Sequence, residues 1–556
     1  MDDRQLTAGP LAARIFEGDL RCLTYLGTEV VRRISYPVRN LSWGTMAVRT
    51  VSEEAGPLSY RRAFVAVDGG FEGSFEVTLA EGGAGLVADL AITALADLQV
   101  MRAGFTLLHP IAGVAGTAMV VMHPDGQEEA THFPQQISPG QPARDIAGLR
   151  HRVWGVDVSI TMEGEVFEME DQRNWSDASY KTYCRPLAWP RPFALRQGAR
   201  VEQRLRIALA GAGDAIASLR TGAKVTGRMP AILLAHEDGL TGLDAALPPG
   251  VGLLARVSSR TPAVRLKVLR PDALEIVFAG LDDLQMAVAR CRAAGMTPAR
   301  VVALPAPYLQ SWQPEGPWPQ GARPADAIPV LRRGFPGALV GAGSLANFTE
   351  FNRSRPDPDT CDFATFGNTA IVHAADDLSV IETLEALPHV FASAKAIMGP
   401  KPLHLGLFSI GMRSNPYGDG VVENPDAARI PMAMLDPRQA TSFAAAYALG
   451  VLGAAIAAGV ESLALAMVSG PLGATGTPLA RVIAVAAGRR GATVRVTEGA
   501  GLTGIEWDHG GMLANLSAGG LPHDKPGLRL TSGGPVASAA RGMLAPTEVL
   551  LWGDAG

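Results

Sequence analysis

The hydrophobic pattern divides the chain into three regions with different rhythms. Over residues 10–210, short apolar or alternating runs lie between glycine-rich turns, with no convincing helix longer than a few turns. Many short strands separated by turn signals are typical of an antiparallel β-sandwich. The predicted strands of this region are Arg21–Gly27, Ala63–Val67, Gly73–Leu79, Gly85–Thr93, Thr117–Met122, Val153–Met162 and Arg200–Leu209.

From about residue 225, apolar strand-like runs alternate with amphipathic helix candidates, which predicts a TIM-like (β/α)₈ barrel. Few residues separate the second run from the third, which makes a helix between them hard to identify. A doubly wound sheet is therefore the competing interpretation. The helix candidates are Leu281–Ala294, Ser379–Met398 and Gln439–Ala458. The eight strand-like runs are Ala231–Ala235, Val251–Arg256, Leu274–Phe278, Arg300–Leu304, Ala338–Gly341, Asp362–Phe366, Leu403–Phe408 and Ser462–Met467.

The last region returns to strands, and about 65 residues make only a small sheet that needs a partner surface. Its predicted strands are Thr493–Thr497, Gly511–Leu516, Gly527–Thr531 and Glu548–Trp552. The sequence therefore predicts three domains. They are an N-terminal β-sandwich over residues 1–222, a barrel over residues 223–488 and a C-terminal β domain over residues 489–556.

Composition narrows the class of protein. The chain has 556 residues, of which 47% are hydrophobic and 19% charged, so it can bury real cores. A net charge of −5 without a basic stripe does not support nucleic-acid binding. The acidic N-terminus does not resemble a signal peptide, and the apolar stretch Phe443–Val460 fits a buried helix better than a membrane span. We therefore expect a cytoplasmic protein with neither nucleic acid nor membrane as partner.

Several familiar catalytic signatures are missing from the sequence. It contains no G-x-S-x-G nucleophile elbow, no H-E-x-x-H and no histidine pair at ligand spacing. Four widely spaced cysteines form no metal knuckle. The sequence therefore predicts no metal site and no cofactor.

In a barrel, chemistry belongs on the loops after the strands. The loops after the fifth, sixth and seventh runs are rich in amides and charges, which suits a pocket for a polyol. Glu350 is the best acid/base candidate, and Asp376 or Asp377 is expected to cap the following helix. The candidate residues are Asn347, Glu350, Asn352, Asn368, His373, Asp376, Arg413, Asn415 and Tyr417.

The stretch Glu168–Lys181 crowds four acids and two basic residues around Trp175. Clustered charges can leave water together only if they satisfy one another. We expect this cluster to be mainly architectural, with Trp175 packed in the β domain or its interface. Arg173 and Lys181 should then pair with neighbouring acids.

This stretch and four others resemble the D-apionate lactonase family: Gly104–Pro110, Glu168–Tyr183, Asn347–Pro356, Val372–Asp377 and Asp436–Gln439. The resemblance implies a β domain, a TIM-like barrel and a second β domain. It also implies opening of the lactone ring of an oxidised branched pentose in carbohydrate catabolism. Family members carry acids where this chain has Leu345 and Met467. The chain is therefore expected to be a divergent member.

The leading hypothesis is thus a lactonase-like hydrolase whose partner is a small sugar lactone or sugar acid. Glu350 or His373 would act as general base, with Asp376 orienting the histidine unless it caps a helix. Arg413 and Asn347 would bind the oxyanion and hydroxyl groups. A glycoside hydrolase, which needs two carboxylates, and a non-catalytic carbohydrate-binding paralogue are the alternatives. The sequence leaves homo-oligomerisation open.

Overall fold

The computed structural model describes residues 4–213, 223–242, 246–499 and 501–555, which fall into two compact units. One unit contains the described residues of Met1–Gln172 and Ala178–Ser218. The other contains Arg173–Asp177 and the described residues of Leu219–Gly556. Arg173–Asp177 therefore group with the second unit, although their neighbours in sequence belong to the first.

The first unit is built of β-strands. In chain order they are β1 (Arg4–Ala8), β2 (Leu11–Phe16), β3 (Asp19–Tyr25), β4 (Thr28–Ser35), β5 (Val38–Arg39), β6 (Val48–Ala55), β7 (Ser59–Ala66), β8 (Phe71–Leu79), β9 (Gly85–Ala94), β10 (Leu98–Val100) and β11 (Arg102–Ala103). They continue with β12 (Thr106–Pro110), β13 (Ala118–Met122), β14 (Glu128–His132), β15 (Ala143–Ile146), β16 (Gly148–Val153), β17 (Val156–Glu163), β18 (Phe167–Asp171), β19 (Ser179–Cys184), β20 (Phe193–Leu195) and β21 (Arg200–Gly211).

Two antiparallel sheets form the sandwich predicted for this region. One has the strand order β1-β2-β3-β4-β12-β19-β18-β15, and the other β14-β13-β16-β17-β21-β9-β8-β7-β6. Buried residues of both sheets, such as Leu11 and Phe75, belong to one hydrophobic core. Alternation explains the packing, because every second residue of β17, from Val156 to Met162, faces that core.

One predicted strand of the sandwich is wrong at its start. The run Val153–Met162 was expected to be a single strand, but Trp154 and Gly155 form the turn between β16 and β17. Both residues have positive φ angles, 46° and 78°. A two-residue hairpin turn with both φ angles positive matches the right-handed twist of its strands.

The second unit contains the barrel. The strands of this unit, up to the last strand of the barrel, are β22 (Ala223–Arg228), β23 (Ala231–Glu237), β24 (Gly252–Val257), β25 (Ala273–Phe278), β26 (Arg300–Pro305), β27 (Leu339–Asn347), β28 (Phe363–Thr369), β29 (His404–Ser409) and β30 (Ser462–Met467). Its helices are α1 (Ala263–Val268), α2 (Leu281–Ala293), α3 (Ala327–Gly334), α4 (Phe348–Arg353), α5 (Asp377–Met398), α6 (Ser442–Ala457) and α7 (Pro478–Ala487).

Strands β23 to β30 close into a parallel barrel in sequence order, which confirms the predicted TIM-like fold and rules out the doubly wound sheet. All eight predicted runs are barrel strands. Strands buried on both faces are apolar throughout, and this is why they stood out in the sequence. The short space after the second run holds only the six-residue helix α1.

A third sheet follows the barrel in sequence. Its strands are β31 (Thr493–Gly499), β32 (Leu502–Trp507), β33 (Gly510–Asn515), β35 (Gly527–Thr531), β36 (Gly534–Ser538) and β38 (Val549–Gly553), while β34 (Leu521–His523) and β37 (Gly542–Leu544) pair separately. The prediction assigned strand β22 to the barrel domain. In the structure β22 is an edge strand of this sheet and pairs with β31. The predicted domain boundaries stay predictions.

Helix α6 contacts this sheet on one side and helices α5 and α7 on the other. All its residues from Ser442 to Ile456 are therefore buried. Gly453 allows α6 to approach β31 and β32 closely, because a Cβ there would lie 2.7 Å from Glu498 Oε1 and 2.8 Å from Thr503 Cγ2. Within the described residues, no helix is both long and apolar enough to cross a membrane.

Candidate active site at the carboxyl ends of the barrel strands

Four charged side chains form one network at the barrel, and we call them the quartet: Glu237, Arg256, Glu275 and Arg413. Glu237 ends β23, Arg256 and Glu275 lie in β24 and β25, and Arg413 follows β29. Arg413 Nε donates to Glu237 at 2.7 Å and its Nη1 donates to Glu275 at 3.1 Å. Arg256 Nε donates to Glu275 at 2.7 Å and lies 3.8 Å from Glu237 through Nη1. Each guanidinium thus contacts both carboxylates.

The quartet is electrically balanced, and this balance allows it to be buried. The side chains of Glu275, Arg256 and Arg413 are only 2%, 6% and 8% exposed. Burial alone would raise the pKa of Glu237, but Arg256 and Arg413 hold it below its usual value. Burial and the nearby Arg256 lower the pKa of Arg413. Paired ions of this kind remain ionised because each supplies the charge that its neighbour needs.

A cavity of about 320 Å³, counting the part open to solvent, lies beside the quartet. Three of the predicted binding residues line it: Asn347, Asn368 and Arg413. Arg256, Glu275, Thr369 and Ser409 add further polar groups. The cavity thus offers guanidinium and amide donors together with carboxylate and hydroxyl oxygens, which are the groups needed to hold a polyhydroxylated molecule.

The position of Asn347 depends on a bulge in β27. The pairing of β27 with β28 shifts register between Gly343 and Asn347. Gly343 has a φ of 141°, and a Cβ there would collide with the Thr365 carbonyl oxygen. Only glycine fits this position, and the bulge leaves Asn347 at the end of the strand and at the start of α4.

Residues Arg173–Asp177, which we call the strap, supply contacts to the barrel loops. The Asn174 carbonyl accepts from Thr349 Oγ1 at 2.7 Å, and its side-chain oxygen accepts from Asn352 Nδ2 at 2.8 Å. The Ser176 hydroxyl donates to the side-chain oxygen of Asn368. The strap therefore contacts α4, which follows β27, and the end of β28, and one of its partners, Asn368, lines the cavity.

Asp177 of the strap pairs with His373, because its Oδ2 lies 2.6 Å from Nδ1 of the imidazole. Trp175 packs edge-on against the same ring at a centroid distance of 5.7 Å. Asp376 was expected to orient this histidine unless it capped a helix. It caps α5, where it accepts hydrogen bonds from the Ser379 amide at 2.9 Å and hydroxyl at 2.6 Å. Asp177, rather than Asp376, therefore holds His373 in position.

Of the two base candidates, neither Glu350 nor His373 lines the cavity. Glu350 Oε2 accepts from the Asn347 amide at 3.0 Å, which closes a capping box at the start of α4. Burial raises the pKa of Glu350 to about 7, against the lowering effect of the Ser311 hydroxyl and the Asn347 amide. Glu350 therefore titrates near neutral pH, but its position fits a helix cap.

The remaining predicted residues have mostly structural contacts. Asn352 bonds to Asn174, as described above. Asn415 holds a turn, because its side chain donates to the Gly420 carbonyl at 2.8 Å and accepts from the Tyr417 amide at 3.0 Å. The Tyr417 hydroxyl lies 3.3 Å from Thr349 Oγ1 and 3.4 Å from Asn347 Nδ2. The binding roles of these residues stay predictions.

The charged stretch Glu168–Lys181 is split between the two units. In the sandwich, Lys181 pairs with Glu170 at 2.6 Å, and Glu168 accepts from the Tyr183 hydroxyl at 2.5 Å. Trp175 instead packs with Val372 and Met412 of the barrel unit. The fully buried Arg173 contacts His389 Nδ1 at 3.0 Å.

Sequence reasoning missed Glu237, Arg256, Glu275 and the partnership of Asp177. A signal was present, because Glu275 interrupts the apolar run Leu274–Phe278 and charged residues are almost never fully buried without partners. Leu345 and Met467, where the family was expected to carry acids, are buried in hydrophobic clusters. Among the described residues, no group of three His, Cys, Asp or Glu side chains lies close enough together to hold a metal ion.

A closed (β/α)₈ barrel with a polar cavity at the carboxyl ends of its strands is the arrangement of TIM-barrel enzymes. The family model of the D-apionate lactonase TIM barrel domain matches residues 252–499, and that of the D-apionate lactonase N-terminal domain matches residues 1–212. The chain belongs to the D-apionate lactonase family. A D-apionate lactonase of Brucella anthropi is 35% identical over 552 residues, which cover 90% of this chain and 88% of the relative.

Two solved structures resemble the chain remotely. A GH36 alpha-galactosidase of Geobacillus stearothermophilus is 9% identical, covers 99% of this chain and 100% of its own, and has a TM-score of 0.27. A putative aldose 1-epimerase of Escherichia coli K12 is 11% identical, covers 38% of this chain and 99% of its own, and also has a TM-score of 0.27. Similarity at this level carries no argument about function.

Proposed function

We propose that this chain is a carboxylic ester hydrolase that opens a sugar-derived lactone, with D-apionolactone as the first candidate, to the corresponding sugar acid. Family membership and the 35% identity to the Brucella anthropi lactonase support the reaction class. The observation that carries the proposal is the cavity in which Arg413, Asn347 and Asn368 converge beside the quartet.

Lactone hydrolysis needs a donor for the oxyanion and a base for the attacking water. Arg413 and Arg256 present guanidinium groups in the cavity, and Asn347 and Asn368 present amides to the ring hydroxyl groups. Glu350 and His373 are the two candidates for the base. The hydrogen bonds of the strap and of the quartet, described above, hold these cavity-lining side chains in place.

Glycoside hydrolysis, which requires two carboxylates across the pocket, is less well supported, since of Glu237 and Glu275 only Glu275 lines the cavity. One carboxyl group of such a pair must stay protonated to act as general acid. Arg256 and Arg413 keep the pKa of Glu237 below its usual value, and Glu275 contacts the same two guanidinium groups. This environment favours ionised carboxylates.

A panel of aldonolactones that includes D-apionolactone tests the proposal by acid release, measured against a buffer blank. We expect turnover of at least one lactone. Asn368→Ala should raise its KM about 2- to 10-fold, because one hydrogen bond contributes about 0.5–1.5 kcal/mol. Asn424→Ala, which removes similar amide hydrogen bonds from an exposed turn, is the matched control and should leave KM unchanged.

Two outcomes would contradict the proposal. Acid release no faster than the blank across the panel excludes lactone hydrolysis. Binding of a lactone or sugar acid without acid release would favour a carbohydrate-binding paralogue.

A further inference from the structure

The contact between Asp177 and His373 fixes the tautomer of the imidazole. An ionised carboxylate only accepts hydrogen bonds, so Nδ1, 2.6 Å from Asp177 Oδ2, carries the proton. In the neutral ring, Nε2 is then the basic atom. Within the described part of the chain Nε2 has no hydrogen-bond partner, and the side chain is 30% exposed. The ring is thus oriented, basic at one atom and accessible to water.

The pair is linked to the cavity through a lining residue, Asn368. Ser176 bonds to Asn368, which lines the cavity, and Asp177 is the next residue of the strap. His373 follows the same strand, β28, that carries Asn368. Trp175 packs against the ring from a third direction and restricts its rotation. The pair is therefore connected to the cavity lining through Ser176 and Asn368, although neither His373 nor Asp177 lines the cavity itself.

We propose that His373 is the general base of the reaction and that Asp177, from a segment outside the barrel sequence, is its positioning residue. This inference rests on the proposed lactone hydrolysis. His373 Nε2 takes a proton from water as the water oxygen bonds to the lactone carbonyl carbon. The ring C–O bond then breaks, and the imidazolium returns the proton to the departing ring oxygen, which becomes a hydroxyl group. The new carboxylic acid loses its proton to solvent.

Glu350 fits the role of base less well. One of its oxygens is committed to the Asn347 amide in the capping box, and the residue is only 5% exposed. A base must reach the water that it activates, either directly or through one further water molecule. The imidazole of His373 meets this condition more directly, since it is already exposed.

The test uses Asp177→Asn in the full-length protein. Loss of the carboxylate removes the partner that fixes the tautomer, and in a comparable Asp–His pair this change lowers kcat about 10⁴-fold. We expect kcat to fall at least about 10²-fold with KM little changed. NMR of the ring nitrogens should show that His373 no longer holds its proton only at Nδ1. A purely structural role would leave this tautomer unchanged.

The matched control is Asp357→Asn. Asp357 also accepts a backbone hydrogen bond, from the Asp359 amide at 3.0 Å, but it contacts no histidine. It should leave both kcat and the tautomer of His373 unchanged. His373→Gln should lower kcat by a similar factor, and this test does not depend on the folding of Asp177→Asn. The double variant should be hardly slower than either single variant, because the two residues act as one unit.

Three results would overturn the inference, and each points to a different cause. If either single variant keeps kcat within about threefold of the wild type, the pair is not the base, while lactone hydrolysis itself stands. If kcat falls but the proton of His373 stays at Nδ1, Asp177 acts only on structure. If the wild type opens no lactone, the proposed function and the inference fail together.

Discussion

One cluster in the barrel and one in the sandwich bury ionisable groups in opposite ways. In the barrel, Arg256, Glu275 and Arg413 leave water as part of a balanced quartet. In the sandwich core, His109 and His151 are 0% and 7% exposed, and their rings pack edge-on at 5.6 Å. His109 Nε2 lies 2.9 Å from Thr182 Oγ1, but its Nδ1 and both nitrogens of His151 lack a hydrogen-bond partner among the described residues.

This difference decides the charge that each of the two clusters carries. Pairing keeps the quartet ionised, whereas burial without an acid keeps the histidines neutral. Burial, reinforced by the nearby His151, holds the pKa of His109 well below its usual value, and burial lowers that of His151 to about 4. The quartet should therefore respond strongly to loss of a partner, and the histidines to pH.

The largest effect is expected from Arg413→Leu, which leaves the buried Glu275 and the partly exposed Glu237 with one guanidinium. Breaking a buried ion pair costs about 3–5 kcal/mol, and we expect this loss in the free energy of unfolding measured with urea. Loss of an oxyanion donor should also lower kcat about 10²- to 10³-fold. Adding Glu237→Leu should restore part of the stability but not the activity. A loss under about 1 kcal/mol would mean that the quartet is not tightly coupled.

Arg173→Ala tests a buried charge of the strap. Arg173 is fully buried and contacts His389, whose pKa burial and the nearby guanidinium lower to about 4. We expect a loss of about 3 kcal/mol in thermal or urea unfolding, because the partners of Arg173 stay behind unsatisfied. The KM for the lactone should change less. An unchanged melting temperature with abolished turnover would instead place Arg173 in the catalytic machinery.

Glu350→Gln sharpens the comparison, since Glu350 is a buried acid with no balancing quartet. Its folded pKa of about 7 lies above the ordinary 4.5. The unfolded chain therefore releases this proton first, and stability falls as pH rises from 4.5 through 7. The glutamine variant should lose this decline, and at pH 8 it should be more stable by about 2 kcal/mol. Urea unfolding at pH 5 and pH 8 measures the slope, and equal slopes in both proteins would contradict the expectation.

The smallest effect concerns His151. Its folded pKa of about 4 lies below the ordinary 6.5. The unfolded chain therefore binds the proton first as pH falls, and stability present above pH 6.5 is lost progressively towards pH 4. We expect a loss of about 1 kcal/mol between pH 7 and pH 5.5, seen in the unfolding of the sandwich. His151→Leu should flatten this dependence, and an unaltered slope would show that other groups cause it.

Much of the fold could be predicted because its strands obey simple periodicities. Alternation in β17 and continuous apolar runs in the barrel follow directly from one-faced and two-faced burial. Strand β22 could not be assigned, because its partner β31 lies on the far side of the barrel in sequence. Pairing over such a distance leaves no local pattern.

The site was predictable only in part. Asn347, Asn368 and Arg413 follow strand ends and do line the cavity. Glu275 was hidden inside a run that was interpreted as core. The pairing of Asp177 with His373 joins residues far apart in the chain, and nothing near either residue in the sequence indicates the other.

The pairing of β22 with β31 has a consequence for synthesis of the protein. Strand β22 emerges from the ribosome before the barrel, and β31 only after it, so β22 waits on the order of tens of seconds for its partner. During that time its backbone edge is open to other chains. Lys224 and Arg228 give this short strand positive charge, which disfavours edge-to-edge association of nascent copies.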